Sequence, residues 1–257
     1  MHRSVLLGMV SSIGLLVASP ALASPADIHP PSLRAGPSQS LNWSGYAVTG
    51  DITDVQGSWI IPAVTCAPGE YSYSAFWTGI DGFNSGTVEQ TGTSSDCVNG
   101  VPRYYAWYEF FPSPSRTISG LTVSAGDVIS AEVRYDTASG RFVVTIEDVT
   151  TNQSFTTRKK APHAARSSAE WIAEAPSAGS SILPLANFGT ADFGFDYTGV
   201  SPTCFATVGG TAGAIGTFGA AVQTITMVTS SGGVKASPSA LSSDGTSFSV
   251  TWKTAGP

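Results

Sequence analysis

Hydrophobic and polar positions along this chain follow a short-period pattern from Asn42 onward. Brief runs of β-branched and aromatic residues alternate with turns rich in Gly, Asp, Asn and Ser, as in "WSGYAVT", "VQGSWIIP", "YSYSAFWTGI", "RYYAWYEFF", "VISAEVRY", "RFVVTIEDV", "VQTITMV" and "FSVTW". Many short strands at this spacing are typical of an antiparallel sandwich or barrel. The sequence contains no internal repeat and no convincing long amphipathic helix. The pattern therefore predicts an all-β fold.

One hairpin is clearly signalled. In "ISAEVRY", Ile129, Ala131 and Val133 alternate with Ser130 and Glu132, which predicts one buried and one exposed face. The Gly-containing turn "DTASG" follows, and "RFVVTIEDV" repeats the alternation. Two alternating segments joined by such a turn predict paired antiparallel strands.

The first 41 residues have a different texture. Arg3 precedes the apolar stretch "VLLGMVSSIGLLVA", and a small-residue site, "ALA", ends at Ala23. This arrangement predicts a secretory signal peptide over residues 1–23 and a secreted, extracellular protein. Residues 24–41, rich in Pro and Ser, read as a linker or short pro-segment, which leaves 42–257 as a single β domain. No other apolar run approaches the roughly 20 residues that span a bilayer, so no membrane association is expected after signal removal.

The charge composition of the chain limits the kinds of partner that it is expected to bind. Charged residues make up 12% of the chain, which is low against about 25% in typical soluble proteins. The net charge of −6 becomes −7 once Arg3 is removed with the signal. An acidic surface offers no patch to neutralise phosphates, so nucleic acid is not an expected partner. A monomer is the default expectation for a secreted chain of this size.

Three cysteines are available for a disulfide. Cys66 and Cys97 bracket the segment that leads to and past Gln90, so a bond between these two is one expectation, with Cys204 left over. The alternative is that all three are reduced and buried.

Several familiar catalytic arrangements are missing from the sequence. Its histidines are His2, His29 and His163, and only the last lies within the predicted β domain. No G-x-S-x-G elbow surrounds a serine, which argues against a serine hydrolase. No H-E-x-x-H motif or paired-cysteine spacing suggests zinc. We therefore expect neither a metal nor a cofactor.

Carboxylates, amides and aromatic residues remain as candidates. If "RYYAWYEFF" is a strand, one face carries an acid among aromatic side chains: Arg103, Tyr105, Trp107, Glu109 and Phe111. In "GTVEQTG", Gln90 and Glu89 point to opposite faces. In "SAFWTGIDG", Trp77 and Asp81 share a face if the strand continues that far. A lone acid on a strand is most often simply solvated, so each of these signals is weak alone.

Taken together, these segments resemble the glutamic peptidases, or eqolisins, which are acid-acting endopeptidases. Seven segments match in family order between Asn42 and Asp196: "NWSGYAV", "GSWIIP", "FWTGIDG", "EQTG", "YAWYEFFP", "SAEWIAE" and "LANFGTADF". The resemblance implies a β-sandwich of two large antiparallel sheets, similar to lectin-like folds. This agrees with the all-β prediction from the strand pattern.

The resemblance also implies a catalytic pair, Gln90 and Glu170. Further positions match residues that line the family's cleft or support its dyad: Trp43, Trp77, Asp81, Trp107 and Glu109. In this interpretation Glu170 is a general base that later serves as the acid, and Gln90 donates a hydrogen bond to the oxyanion. The implied substrates are proteins or peptides, and an acidic working pH is expected.

Two other classes of function stay open on the sequence alone. A lectin-like carbohydrate-binding module would share the fold and the aromatic surface without needing Gln90 or Glu170. A glycoside hydrolase would use two carboxylates, for example Glu109 and Glu170, at one of two characteristic separations.

Overall fold

The structure is a computed structural model that describes residues 39–256. The predicted signal peptide (1–23) and residues 24–38 of the predicted linker lie outside the described residues. Within them, no helix is long and apolar enough to cross a membrane.

Strands dominate the described chain. In chain order they are β1 (Gln39–Ser40), β2 (Trp43–Thr49), β3 (Ile52–Ile60), β4 (Tyr71–Ser72), β5 (Ala75–Ile80), β6 (Val88–Val98), β7 (Val101–Phe111), β8 (Ser113–Thr117), β9 (Val128–Asp136), β10 (Arg141–Asp148), β11 (Gln153–Lys159), β12 (Ser168–Glu174), β13 (Ser177–Ala178), β14 (Ser181–Ile182), β15 (Thr190–Gly194), β16 (Phe205–Val208), β17 (Thr211–Ala214), β18 (Val222–Val228), β19 (Val234–Pro238) and β20 (Ser247–Trp252). The helical elements are α1 (Phe195–Thr198) and a 3-10 helix (Ile215–Ala221).

Two large sheets form the molecule. The first sheet has the strand order β18-β2-β12-β5-β6-β7-β8, with antiparallel pairing throughout. The second contains β11-β10-β9-β3, and β3 continues to β16-β17 and to β15-β20-β19. Strand β18 joins the sheets, because its first half pairs with β2 and its second half with β19. The predicted antiparallel β-sandwich is thus confirmed.

The main core lies between the two sheets. Alternation along β12 shows how the sequence builds it: Trp171 belongs to this core, whereas its neighbour Ile172 belongs to a second apolar cluster on the opposite face. The second cluster contains three tryptophans, Trp43, Trp77 and Trp107. The first sheet therefore has apolar side chains on both faces. Its outer face is more apolar than a face that only contacts solvent would be.

The hairpin predicted from alternation is confirmed. Strands β9 and β10 pair antiparallel, with Val133 opposite Val144. Ile129, Ala131 and Val133 are buried, while Ser130 and Glu132 on the other face are partly exposed.

A disulfide joins Cys66 to Cys97 across a sequence separation of 31, which confirms the expected pairing. Cys204 is free and buried. Because Cys97 lies near the end of β6, the bond ties the far end of the strand that carries Gln90 to the loop before β4.

Candidate active site

One row of residues crosses the first sheet and carries the candidate dyad. Glu170 of β12 pairs with Ala47 on one side and with Gly79 of β5 on the other. Gly79 pairs in turn with Gln90 of β6, and Gln90 pairs with Glu109 of β7. Directly opposed residues in an antiparallel sheet point to the same face. The structure therefore brings Glu170, Gln90 and Glu109 together on the face that carries the second apolar cluster.

Gly79 leaves a gap between the two proposed catalytic side chains. Two strand spacings of about 4.8 Å separate the backbones of Glu170 and Gln90, or about 10 Å in all. A Cβ at position 79 would lie 2.8 Å from Cβ of Gln90 and 3.0 Å from the backbone oxygen of Glu89. The absence of a side chain at this position therefore opens the space over which Glu170 and Gln90 can approach a common atom.

Glu109 holds the amide of Gln90. Nε2 of Gln90 donates to Oε2 of Glu109 at 2.6 Å, and both side chains are buried. An amide nitrogen has two N–H groups, so one stays available after this bond is made. Oε1 of Gln90 and Nε1 of Trp107 are also buried without a hydrogen-bond partner in the described part of the chain. Polar atoms of this kind suit a site that receives water or a substrate.

Burial dominates the electrostatics of Glu170. Its side chain is fully buried, and desolvation raises its pKa well above the usual value. The Ser168 side chain and the backbone of Phe83 oppose the shift, and the carboxylates of Asp81 and Glu89 add to it. Neither Glu170 oxygen makes a well-formed hydrogen bond within residues 39–256. The structure therefore gives this glutamate a strong tendency to hold a proton.

Asp81 acts at the start of the strand that carries Glu170. Strand β5 ends at Ile80 and Asp81 has a φ of 74°, so the strand does not continue to Asp81 and the shared-face argument with Trp77 does not apply. Its buried carboxylate accepts the backbone N–H of Arg166 at 2.7 Å and of Ser167 at 2.8 Å. Asp81 thereby fixes the chain that enters β12, three residues before Glu170.

The aromatic residues form a wall along the same face. The rings of Trp43 and Trp77 meet edge to face, with centroids 4.8 Å apart. Trp77 and Trp107 lie one row beyond Glu170 and Gln90, on opposite sides of Gly92. A Cβ on Gly92 would lie 2.9 Å from the Trp107 ring, so a glycine at this position lets the indole lie flat across the sheet.

Sequence reasoning missed Glu174. This buried residue accepts Nε1 of Trp77 at 2.8 Å and Nδ2 of Asn42 at 3.3 Å, and so fixes the Trp77 ring. The signal was present in "SAEWIAE", because a strand places residues 170 and 174 on the same face.

Glu89 lies on the opposite face of β6 from its neighbour Gln90. It pairs with Ile80 and Phe110, both members of the core between the sheets. Its two oxygens are buried and have no hydrogen-bond partner among residues 39–256. Desolvation, with a smaller contribution from Asp81, raises its pKa to about 9.

The candidate site is built from carboxylates, one amide and indoles. Within residues 39–256, no group of three or more His, Cys, Asp or Glu side chains is arranged to hold a metal ion. The chemistry available to these side chains themselves is proton transfer by Glu170 and hydrogen-bond donation by Gln90.

This fold is that of a glutamic-peptidase-type β-sandwich. The profile of the Peptidase A4 family matches residues 41–252, which is most of the chain. The chain therefore belongs to the Peptidase A4 family.

Two curated relatives share part of the sequence. Aspergillopepsin-2 of Aspergillus niger is 32% identical over 177 residues, which cover 60% of this chain and 62% of the relative. Scytalidopepsin B of Scytalidium lignicola is 32% identical over 138 residues, covering 52% of this chain and 51% of the relative. The matched region thus spans less than two thirds of either relative's length.

Solved structures confirm the fold. Scytalido-glutamic peptidase with a transition-state analogue inhibitor superposes with a TM-score of 0.68 at 24% identity, covering 82% of this chain and 98% of that one. Aspergilloglutamic peptidase from Aspergillus niger gives a TM-score of 0.59 at 28% identity, covering 71% and 99%.

Proposed function

We propose that this protein is an endopeptidase that cleaves proteins or peptides with Glu170 and Gln90. The observation that carries the proposal is the transverse row in which a fully buried glutamate faces an amide across a glycine gap. Family membership supports the same reaction class. The aromatic wall of Trp43, Trp77 and Trp107 suits the side chains of a bound polypeptide.

Glu170 carries the proton in this mechanism. Its ionised carboxylate removes a proton from water while the water oxygen attacks the peptide carbonyl carbon, and the C=O π electrons move to oxygen. When the C–N bond breaks, the protonated Glu170 donates that proton to the departing amine. One group serves as base and then as acid, and its raised pKa makes it a stronger base than an exposed glutamate.

Gln90 stabilises the charge that develops on the carbonyl oxygen. Glu109 accepts one N–H of its amide, which fixes the orientation of the second N–H before a substrate arrives. Asp81 holds the start of β12, and Glu174 holds the Trp77 ring. Asp81 and Glu174 position other parts of the site, and we assign them no proton transfer.

The pH profile follows from the direction of the pKa shifts. Activity on the acid side requires ionised Glu170, so its midpoint lies above the usual glutamate pKa of about 4.3. At higher pH, the ionisation of buried acids lowers the stability of the folded state. Desolvation raises the pKa of Asp96 to about 7, and that of Glu89 lies at about 9. These opposing requirements favour a mildly acidic optimum.

We further propose that the mature protein is a secreted monomer with one domain over residues 42–257. The apolar N-terminal stretch that ends in "ALA" supports secretion, and the family match over residues 41–252 supports a single domain; the monomer is the default for a chain of this size.

The test is digestion of denatured casein from about pH 2 to 7, with new peptide ends identified by mass spectrometry. Wild type is expected to release peptides in acid. Glu170→Gln keeps the size of the side chain but cannot carry the proton, so we expect a loss of about 1,000-fold in kcat. Circular dichroism and thermal unfolding check that the variant is folded.

The outcome also separates the other two classes of function. Wild-type activity in a folded Glu170→Gln variant would rule out the dyad. A folded wild type that digests nothing, while binding glycans or releasing reducing sugars, would support the binding module or the glycoside hydrolase. The row itself argues against a Glu109–Glu170 pair, because Gln90 lies between them and bonds to Glu109.

A further inference from the structure

Trp107 carries a buried hydrogen-bond donor that has no acceptor in the described chain. Its side chain is 1% exposed, and its indole Nε1 makes no hydrogen bond within residues 39–256. Burial of an N–H group without an acceptor lowers stability, because the group gives up its hydrogen bonds with water. The indole N–H of Trp107 is therefore available to a ligand that supplies an acceptor. Four other tryptophans donate their indole N–H within the protein: Trp59 to Thr93, Trp77 to Glu174, Trp171 to the backbone oxygen of Gln56 and Trp252 to the backbone oxygen of Leu185.

This donor lies in the row next to Gln90. Trp107 is paired with Gly92, which follows Gln90 by two residues on β6. A Cβ on Gly92 would lie 2.9 Å from Cζ2 of Trp107. In an indole ring Cζ2 is joined to Nε1 through one atom, Cε2, so the ring edge that carries the N–H lies beside Gly92. Trp107 belongs to the second apolar cluster, which places this edge on the same face as the dyad.

The spacing of the two rows matches the repeat of an extended polypeptide. Two residues along a strand span about 6.8 Å, and the carbonyl groups of an extended chain that point in one direction recur at the same interval. Beyond Gln90, the next outer-face positions of β6 are Gly92 and Ser94. Because these residues project little above the sheet, a polypeptide that lies along β6 meets few side chains from that strand.

We propose that the indole N–H of Trp107 donates a hydrogen bond to a main-chain carbonyl of the bound polypeptide, two residues away from the carbonyl that Gln90 stabilises. The inference rests on the proposed peptidase function and adds to it how the substrate is positioned. A main-chain acceptor is present in every polypeptide, so this contact holds the substrate without selecting a side chain. The contact is the same in the bound substrate and in the transition state, so its loss should raise KM and leave kcat nearly unchanged.

Replacement of Trp107 by benzothienylalanine tests the donor. This analogue keeps the bicyclic shape of tryptophan and has sulfur in place of the N–H group. We expect KM for a fluorogenic peptide to rise by roughly 3- to 10-fold, the effect of one neutral hydrogen bond, and kcat to stay within about twofold. Trp107→Phe also lacks the donor and should raise KM at least as much. An unchanged KM in both variants would overturn the proposal.

Substrates with single thioamide groups identify the acceptor. A thioamide sulfur accepts hydrogen bonds more weakly than a carbonyl oxygen, and the peptides carry one such replacement in turn at each position flanking the cleaved bond. For wild type, kcat/KM should fall by roughly 3- to 10-fold when sulfur replaces the carbonyl oxygen two residues from the cleaved one. The same thioamide should have no effect on the benzothienylalanine variant, because the donor is already absent. Additive losses at every position would contradict the contact.

Trp59 provides the matched control. Its indole N–H donates to the Thr93 hydroxyl at 2.9 Å in the core between the sheets. Replacement of Trp59 by benzothienylalanine should lower the melting temperature by about 2–4 °C and leave KM and the thioamide profile unchanged. The Trp107 replacement should keep or raise the melting temperature, since no protein acceptor is lost. A fall as large as that of the Trp59 variant would mean that the Trp107 N–H bonds within the free protein, which overturns the inference.

Failure of the contact and failure of the peptidase give different results. A folded wild type that digests casein and has no position at which the thioamide effect depends on Trp107 overturns the contact and leaves the peptidase intact. A folded wild type that cleaves neither casein nor any of the peptides overturns the peptidase, and the Trp107 contact with it.

Discussion

Two neighbouring residues of β6 face opposite sides of the same sheet and have opposite environments. Gln90 lies on the outer face, bonded to Glu109 and opposite Gly79. Glu89 lies on the inner face between Ile80 and Phe110, with neither oxygen hydrogen-bonded in the described chain. On the outer face, polar side chains contact one another. On the inner face, Glu89 has no hydrogen-bond partner in the described chain.

The two faces of the sheet are therefore expected to affect different properties of the protein: the outer face its activity, and the inner face its stability. A polar group in a connected row can act on a ligand, because its neighbours fix its orientation. An isolated acid between two sheets has no such use and stays neutral instead, with a pKa of about 9. We therefore expect outer-face changes to alter activity and the inner-face change to alter the pH dependence of stability.

The largest effect after that of Glu170 is expected at Gln90. Gln90→Ala removes the proposed oxyanion donor, and loss of one such donor typically lowers kcat by about 100- to 1,000-fold. The measurement is steady-state cleavage of a fluorogenic peptide at the pH optimum.

The exposed Gln153 of β11 provides the control for this change. Gln153→Ala removes an equal number of atoms away from the row and should leave kcat within about twofold. Comparable activity in the Gln90 and Gln153 variants would remove Gln90 from the mechanism.

Gly79→Ala should have an intermediate effect. The added methyl group would lie 2.8 Å from Cβ of Gln90 and 3.3 Å from the Trp77 ring, so Gln90 must move. A displacement of this kind lowers kcat by roughly 10- to 100-fold. Gly86→Ala is the matched control, because a Cβ there meets nothing within 4 Å. If both alanine variants were fully active, the gap over Gly79 would have no catalytic role.

The smallest effect on activity, and a clear one on stability, is expected for Glu89→Gln. Glu89 keeps its proton in the folded protein up to about pH 9, while the unfolded chain releases it near pH 4.5. Stability from this group is therefore complete below about pH 4.5 and falls as pH rises toward 9, by at most about 1.4 kcal/mol per pH unit.

Glutamine cannot ionise, so the variant should escape that loss. At pH 4 the two proteins should unfold at similar temperatures, and at pH 7 the variant should melt about 4–8 °C higher, equivalent to about 2 kcal/mol. Glu147→Gln, at a partly exposed position of β10, is the control and should show no such divergence. Parallel melting curves of wild type and Glu89→Gln from pH 4 to 8 would contradict a neutral buried Glu89.

The sequence predicted much of the fold because alternation is local. The β9–β10 hairpin and the opposite orientations of Glu89 and Gln90 all follow from a period of two. Gly79, in contrast, gave no signal, since its importance comes from the pairing of three strands. The role of Asp81 likewise depends on its contacts with Arg166 and Ser167, which lie far from it in the chain.

The transverse row has a consequence for errors in assembly. Its members, Glu170, Gly79, Gln90 and Glu109, come from four strands that must all align. A slip of one residue in β6 would exchange Gln90 for Glu89 on the outer face, turning an amide donor into a second acid. Under the proposed mechanism, a misregistered molecule would therefore lose the oxyanion donor altogether and be inactive. The proposed catalysis would therefore depend on correct strand register in an all-or-none way.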